Sequence, residues 1–268
     1  NELAIRLLQR TSRGVTPTSA GLAFYSQAQL ALRHADDAIL AAREARLSGH
    51  VSVGMAPSTA SVLGVPFINA MRESYPDVRL HLVESLSGNL ERMINTRQLD
   101  LAIVFQQEKI LRWSARPVLE ERLFLIGTHA LLASLPDDPV SPDQLTTLPL
   151  IMPSQGHGLR GRLETVCQQH NLSVEVVADI DGLALLMQAV RSGLGATLQP
   201  GAAISHLDHQ ALRVIGIANP VLSRPNFLVS LSDDELTPAG LAARVILSKV
   251  MRQLVESDRW PGSTLYVN

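Results

Sequence analysis

The glycine-rich segment Gly156–Gly161 is the most conspicuous short motif of the sequence. It reads GHGLRG, which fits the spacing G-x-G-x-x-G, and Asp179 and Asp181 follow about 20 residues later. Such a loop is typical of dinucleotide sites, where backbone N–H groups at a helix start bind a pyrophosphate. Here the preceding strand is predicted to end at Met152, before Pro153, so the glycines lie in a longer loop. This weakens the case for a nicotinamide cofactor.

The same loop can recognise an organic anion. Arg160 can bind a carboxylate through two parallel hydrogen bonds, and Ser58 and Thr59 offer a second helix start with hydroxyl donors. Two helix N-termini that face each other across a cleft attract an anion. In the alternative interpretation, Ser58 and Ser154 only cap their helices and Arg160 is solvated.

Groupings of residues that would indicate catalysis are sparse. The sequence contains neither G-x-S-x-G nor H-E-x-x-H. The one local His/Asp cluster, His206, Asp208 and His209, follows a Pro-Gly pair and is expected at the surface. Cys167, the single cysteine, falls in the apolar part of a helix pattern, which favours a core thiol over a nucleophile. We therefore expect no enzyme activity, no catalytic residue, no metal site and no cofactor.

Composition limits the class of protein. The 268 residues are 46% hydrophobic and 18% charged, with a net charge of −2, as in a folded globular chain. No apolar run reaches the ~20 residues that a membrane span needs. Arg6 and Arg10 interrupt the first ten residues, which argues against a signal peptide, so we expect a cytoplasmic location and no membrane partner.

The first fifty residues differ in pattern from the remainder. Leucines 3, 7 and 8 lie on a short helical pattern, and residues 13–18 have the turn-rich composition of two short strands or a wing. A helix is predicted from Thr18 or Ser19 to about Leu47, because apolar residues recur at three- and four-residue steps. That stripe either packs on the protein's own core or forms a dimer seam. Its members include Leu22, Tyr25, Leu32 and Ile39.

From Val51 onward, predicted strands alternate with predicted helices, which indicates an α/β fold with mostly parallel sheets. Strands are expected at 51–55, 78–83, 101–105, 123–127, 148–152, 174–178, 196–198 and 226–231. Helices are expected at 58–74, 87–95, 159–170, 182–192 and 237–256. Ligand sites in such sheets lie beyond the carboxyl ends of the strands.

Taken in order, several segments resemble bacterial LysR-type transcriptional regulators. They are Arg10–Gly21 (RTSRGVTPTSAG), Gly49–Gly54, Tyr75-Pro76, Leu99–Ile103 and Gly193–Ala196 leading to a proline. The family begins with a winged helix-turn-helix, and Asn1 resembles the late part of its recognition-helix region, so the N-terminal part of that domain is expected to be missing. The resemblance implies DNA contacts from the wing at Arg10, Arg13 and Thr16. It also implies a dimerisation helix with Leu22, Tyr25, Leu32 and Ile39 in its seam.

The resemblance further implies two Rossmann-like subdomains of the type 2 periplasmic-binding-protein kind. The expected units are a wing remnant at 1–18, a linker helix and hinge at 19–50, subdomain I at 51–122 plus 234–268, and subdomain II at 123–233. The effector would lie between the subdomains. Carried over by position, its contacts would be Pro57, Ser58, Thr59, Phe105, Thr128, Ser154, His157, Arg160, Thr197 and Gln199.

The expected function is that of a transcription factor whose C-terminal domain binds a small organic anion, chiefly a carboxylate. Binding would change the geometry of a homodimer or homotetramer on promoter DNA. Two alternatives stay open. One is a stand-alone solute-binding module, and the other is an NAD(P)-dependent oxidoreductase that uses the glycine motif.

Overall fold

The structure is a computed structural model. It describes residues 5–11, 14–43, 47–105, 113–137, 139–155, 158–204, 210–218, 222–233 and 235–266. Twelve strands and six helices are named below in chain order. They are β1 (Leu8–Thr11), β2 (Gly14–Pro17), α1 (Ser19–Arg43), β3 (Gly49–Met55), α2 (Pro57–Ser74), β4 (Val78–Glu84), α3 (Ser87–Asn95), β5 (Leu101–Val104), β6 (Ser114–Thr128), β7 (Pro149–Met152), α4 (Gly158–Gln169), β8 (Glu175–Asp179), α5 (Leu183–Arg191), β9 (Thr197–Pro200), β10 (Leu212–Gly216), β11 (Ser223–Ser230), α6 (Pro238–Glu256) and β12 (Ser263–Leu265). Short 3₁₀ turns occupy Pro142–Thr147 and Gly201–Ile204.

The N-terminal hairpin joins directly onto the long helix. Strands β1 and β2 pair antiparallel, so the wing predicted at 13–18 begins earlier, and Leu8 lies in a strand instead of the expected short helical pattern. The Thr18 hydroxyl accepts a hydrogen bond from the Gly21 N–H at 3.0 Å and caps α1. A Cβ at Gly21 would lie 1.9 Å from the Leu7 carbonyl oxygen, so only glycine permits this approach. The helix is described as far as Arg43, and residues 44–46, just before its predicted end at about Leu47, lie outside the described residues.

Two groups of elements pack around separate cores. Lobe I, as we call it, comprises β3, α2, β4, α3, β5, α6 and β12, and its core includes Val53, Phe67 and Leu247. Lobe II comprises β7, α4, β8, α5, β9 and β10, and its core includes Leu150 and Leu198. The last helix, α6, is capped as the sequence predicts, because the Thr237 hydroxyl accepts a hydrogen bond from the Gly240 N–H at 3.0 Å.

The two lobes share the strands β6 and β11. An eight-stranded sheet runs β10-β6-β11-β5-β3-β4, with β9 and β12 also paired to β6. Strand β6 is 15 residues long and continues from lobe I into lobe II. Its pairing with β11 shifts register between Asn226, opposite Leu119, and Phe227, opposite Pro117, so the extra residue of this β-bulge is Val118 of β6. A paired ladder therefore joins the lobes.

The prediction of mostly parallel sheets is wrong for these shared strands. Strand β3 pairs parallel with β4 and β5, and β7 pairs parallel with β8. Strand β6, however, is antiparallel to β9, β10, β11 and β12. The alternation of strands and helices was visible in the sequence. Hydrophobic periodicity, however, does not show whether a strand that crosses between the lobes runs parallel or antiparallel to its neighbours. Strands β10 and β12 were not predicted. In the described part of the chain, no helix is long and apolar enough to cross a membrane.

Candidate functional site

A small cavity lies between the two lobes where α2 of lobe I begins. Its volume is about 30 Å³, which is room for one or two water molecules. The described residues that line it are Ala56, Pro57, Ser58, Leu86, Pro153, Leu159, Asp181, Leu183, Leu186, Gln199 and Arg224. Pro57 and Ser58 follow the end of β3, and Gln199 lies near the end of β9, so the cavity is at the carboxyl ends of strands from both lobes.

A buried ion pair forms one side of this cavity. Arg224 of β11 and Glu121 of β6 are cross-strand partners, and Arg224 Nε donates to Glu121 Oε2 at 2.8 Å. Their side chains are only 3% and 0% exposed. Arg224 Nη2 also donates to the Ser58 hydroxyl at 2.9 Å and thereby ties the shared strands to the first turn of α2. Among the described residues, the hydrogen bonds of Arg224 use Nε and Nη2, which leaves Nη1 for a ligand.

The Glu121 carboxylate is held on both of its oxygens. Oε1 accepts hydrogen bonds from the Ala202 backbone N–H and from Trp260 Nε1, both at 2.7 Å. Oε2 accepts a second, longer bond of 3.4 Å from Asn226 Nδ2, in addition to that from Arg224. A buried carboxylate is tolerated only when its charge is paired and its lone pairs are satisfied. This network meets both conditions and makes the ion pair electrically neutral overall.

The Arg224 guanidinium is also stacked on an aromatic ring. Its Cζ lies 3.7 Å from the centroid of the Phe105 ring. Burial lowers the pKa of Arg224, while the Glu121 carboxylate raises it again. Arginine nevertheless stays protonated in proteins, so the cavity presents a guanidinium with a defined plane, whose charge Glu121 balances.

The lobe II side of the cavity is polar but carries an acid. Gln199 Nε2 donates to the Thr197 hydroxyl at 3.2 Å, and both side chains are buried on β9. Asp181 accepts a hydrogen bond from the Ser154 backbone N–H at 2.9 Å. A ligand in the cavity therefore meets amide and guanidinium donors together with one carboxylate.

A family model described as the LysR substrate binding domain matches residues 44–252. This chain belongs to the LysR family of transcriptional regulators. The nitrogen assimilation regulatory protein nac of Escherichia coli (strain K12) is 31% identical over 271 residues, which cover 97% of this chain and 85% of that protein. The transcriptional regulator BbuR of Bordetella bronchiseptica is 25% identical over 265 residues, covering 97% and 81% of the two chains.

Solved structures of LysR-type regulators share the fold. A full-length OxyR variant from Pseudomonas aeruginosa superposes with a TM-score of 0.74 at 20% identity, covering 100% of this chain and 85% of that one. Full-length BenM gives a TM-score of 0.67 at 19% identity, covering 97% and 86%. The two-lobed, periplasmic-binding-protein-like architecture predicted from the sequence is confirmed.

Within this LysR fold, the ten predicted effector contacts fall into different places. Pro57, Ser58 and Gln199 line the cavity, and Phe105 lies beneath the Arg224 guanidinium. Thr197 and Ser154 do not line the cavity, but each forms a hydrogen bond with a residue that does, Gln199 and Asp181 respectively. Thr59 is fully buried, and its hydroxyl has no hydrogen-bond partner among the described residues. His157 lies outside the described residues.

Thr128 lies at the wrong end of its strand to contact a ligand in this cavity. Strand β6 runs antiparallel to β9, with Phe124 opposite Gln199. Thr128 is four residues beyond Phe124, which corresponds to about 13 Å along a strand. The prediction for Thr128 assumed that the carboxyl end of β6 lies at the cleft between the lobes. In the structure, that end of β6 points away from the cleft. Its hydroxyl instead accepts a hydrogen bond from the Leu131 N–H at 3.2 Å.

Arg160 is already neutralised by acids of its own lobe. Its Nε donates to Glu164 at 2.8 Å and its Nη1 to Asp179 at 3.3 Å. The side chain is 12% exposed and is not among the described residues that line the cavity. A guanidinium between two carboxylates attracts an added anion weakly, so this placement does not support the carboxylate clamp expected at Arg160.

The glycine motif lacks the packing that a dinucleotide site needs. Helix α4 begins at Gly158, and Gly161 lies inside it, whereas Gly156 is outside the described residues. The third glycine of the fingerprint serves close packing of helix on strand. A Cβ at Gly161 would meet nothing within 4 Å, so no such packing exists here. Cys167, further along α4, is buried in the lobe II core, as expected of a core thiol.

Sequence reasoning missed Arg224, which lines the cavity, and Glu121, which pairs with it. The local sequence contained no signal, because Glu121 is flanked by Glu120 and Arg122, and Arg224 lies between Ser223 and Pro225. The strand predicted at 226–231 began after Arg224, and the strand predicted at 123–127 began after Glu121. Both residues therefore fell into presumed loops, where charge is unremarkable.

The predicted DNA and dimer residues are exposed where they are described. Arg10 lies on β1 and Thr16 on β2, both exposed, and Arg13 lies outside the described residues. On α1, the four seam residues are each more than half exposed: Leu22, Tyr25, Leu32 and Ile39. In the described residues, no three His, Cys, Asp or Glu side chains are grouped so as to hold a metal ion.

Proposed function

We propose that this LysR-family chain is a transcription factor, not an enzyme, and that it responds to a small organic anion bound between lobes I and II. The observation that carries the proposal is the buried Arg224 guanidinium at the inter-lobe cavity, with Ser58 and Gln199 beside it. Arg224 takes the role that the sequence suggested for Arg160. Its Nη1 and the first turn of α2 supply donors to one carboxylate.

Ligand binding would have to move the lobes. A cavity of about 30 Å³ holds one or two waters and excludes even a small organic acid. An acid that reaches Arg224 therefore binds an arrangement in which lobe II has withdrawn from α2. A ligand that prefers one arrangement shifts the population toward it. This is how occupancy would be transmitted to the rest of the molecule.

A structural neighbour supports an organic acid as the class of effector. The effector-binding domain of QuiR, solved in complex with shikimate, superposes with a TM-score of 0.66 at 17% identity, covering 77% of this chain and 98% of that one. Shikimate is a carboxylate. Because a shared fold does not fix the ligand, the argument for this chain depends on Arg224 itself.

We also propose a role for each of the remaining parts of the chain. Residues 1–18 form the wing that contacts promoter DNA through Arg10, Arg13 and Thr16. Residues 19–50 form the helix and hinge through which the chain assembles as a homodimer or homotetramer. Residues 51–122 with 234–268, and residues 123–233, form the two effector-binding subdomains. The protein acts in the cytoplasm, where its promoter DNA is.

A binding screen tests the proposal directly. Mono- and dicarboxylates, sulfate, phosphate and NAD(P)H are titrated while thermal unfolding is followed, because a ligand at ~100 times its Kd stabilises by about 2.7 kcal/mol. We expect a selective response to a carboxylate. That response should disappear in Arg224→Lys and Ser58→Ala and persist in Arg160→Ala. Each variant's own unfolding midpoint, measured without ligand, shows whether it is folded.

Other outcomes contradict the proposal in distinct ways. Loss of binding in Arg160→Ala alone would restore Arg160 as the carboxylate ligand. A response to NAD(P)H only would favour the oxidoreductase alternative. A chain that binds solutes but stays monomeric at micromolar concentration would favour the solute-binding module. No response to any anion would overturn an anionic effector.

A further inference from the structure

A second polar groove lies in lobe I, away from the inter-lobe cavity. Its volume is about 250 Å³. It is bounded by the beginning of β6, the end of β11 and one side of α6. The described residues that line it are Ser114, Arg116, Leu228, Ser230, Arg244, Val245 and Ser248. None of them was implicated by the sequence, and none takes part in the proposed effector site.

The pairing of β6 with β11 places the polar groups together. Ser114 is the cross-strand partner of Ser230, and Arg116 is the partner of Leu228. Residues two apart on a strand share one face, so all four side chains are on the same side of the sheet. That side is covered by α6, because Leu228 belongs to the core that α6 completes. Arg244 and Ser248, four residues apart on α6, border the groove from above.

Arg244 is held in a fixed position at the groove. Its Nη1 lies 2.6 Å from Asp233 Oδ1 and 3.3 Å from the Ser230 hydroxyl oxygen. The Arg244 side chain is 16% exposed, while that of Asp233 is 67% exposed. A guanidinium that is positioned in advance loses little conformational entropy when a ligand binds.

Arg116 adds a second positive charge that no described acid pairs with. Its side chain is exposed, and it forms no ion pair within the described part of the chain. The pKa of Asp233 is lowered by its hydrogen bond and charge contact with Arg244, and further by the charge of Arg116. Two guanidinium groups therefore act on one carboxylate, and the described groups at the groove, Arg116, Arg244 and Asp233, carry a net positive charge.

We propose that this groove binds the phosphate group of a small phosphate monoester. Guanidinium forks match phosphate oxygens, and the Ser114 and Ser230 hydroxyls add donors from the floor. The Ser248 hydroxyl already donates to the Arg244 carbonyl at 2.9 Å and borders the groove as an acceptor. The volume exceeds that of the phosphate group alone, so the space beside Leu228 and Val245 takes the organic part.

The inference is tested by calorimetric titration of the whole chain with glycerol 3-phosphate, inorganic phosphate, sulfate and succinate. The wild type should bind glycerol 3-phosphate more tightly than inorganic phosphate, and any binding of succinate at the inter-lobe cavity should be unaffected by Arg116→Ala. Arg116→Ala should weaken phosphate binding by about tenfold or more, the usual effect of losing a charge-assisted hydrogen bond. Because Arg116 is exposed, this variant should fold normally.

Two control variants make the result specific to the groove. Arg252→Ala removes an exposed arginine of α6 that does not line the groove and whose Nη1 lies 3.9 Å from Glu256 Oε1, and it should leave phosphate binding unchanged. Ser58→Ala alters only the inter-lobe cavity and should also leave it unchanged. Phosphate binding that survives Arg116→Ala, or that Ser58→Ala abolishes, would overturn the inference. Succinate binding that Arg116→Ala weakens as much as it weakens phosphate binding would overturn the preference for phosphate, and equal affinity for inorganic phosphate would overturn the monoester as ligand.

Discussion

Glu121 and Arg224 face each other across the two strands that join the lobes, with 2.8 Å between Oε2 and Nε. Glu121 also binds the Trp260 indole and the Ala202 backbone, and Arg224 binds Ser58 at the start of α2. One buried ion pair therefore connects the shared strands, the C-terminal segment and the candidate site. Its integrity is important for both stability and binding.

Glu121→Gln should destabilise the protein strongly. The substitution keeps the size of the side chain but leaves the Arg224 charge buried without its counter-ion, which typically costs about 3–5 kcal/mol. Urea unfolding measures the loss. The matched control is Glu164→Gln, which breaks the ion pair with Arg160. The Glu164 side chain is 42% exposed. That pair should contribute only about 0–1 kcal/mol. Equal effects of the two variants would contradict the importance assigned to the buried pair.

Tyr266 should titrate at unusually high pH. Burial and its hydrogen bond to the Glu120 carboxylate raise the pKa of Tyr266 to about 12. Because the folded-state pKa exceeds the unfolded value of about 10, the stabilisation is fully present below pH ~10 and is lost as the pH rises toward 12. Phenolate absorbance of the wild type minus that of Tyr266→Phe isolates this step. A step near pH 10 in protein that is still folded by circular dichroism would contradict it.

Gly201→Ala should destabilise the junction between β9 and the C-terminal segment. An added Cβ would lie 1.6 Å from the Pro261 carbonyl oxygen, a distance that forces the backbone to move. Overpacking of this kind costs about 1–3 kcal/mol. Gly161→Ala is the control, because nothing lies within 4 Å of its added Cβ. In a helix that change should be neutral or stabilising by up to about 1 kcal/mol. Thermal unfolding of both variants distinguishes a steric effect from the general effect of replacing glycine.

Leu32→Glu should weaken self-association if α1 is the dimer seam. Leu32 is 68% exposed in the single chain, so the substitution should not disturb folding. A carboxylate placed in an apolar seam should raise the dissociation constant by at least about tenfold. Gln27→Glu introduces the same charge on the opposite side of the helix and should have little effect. Sedimentation velocity across micromolar concentrations measures both. Identical association of the two variants would place the seam elsewhere.

The sequence predicted the elements well because their local signals are strong. The apolar alternation of β3 and the Thr237-Pro238 start of α6 each reflect local chemistry, and the structure has both elements at those positions. The candidate site was harder to predict, since its members are brought together by pairing between strands about 100 residues apart. Nothing near Glu121 in the sequence indicates that Arg224 is its partner. Arg160, on helix α4, looked unpaired in the sequence because one of its partners, Asp179, comes from strand β8.

The bulge at Val118 of β6, opposite Asn226 and Phe227, has a mechanical consequence for a molecule with two lobes. Strand β6 is one paired ribbon of 15 residues, about 50 Å long, and the bulge in its pairing with β11 lies next to the buried ion pair. Bulges bend and twist a ladder locally. Displacement of one lobe against the other therefore flexes a hydrogen-bonded ribbon instead of pivoting on a loose linker. Such a joint resists displacement of the lobes elastically, with a restoring force that grows with the displacement and returns the lobes to their resting angle.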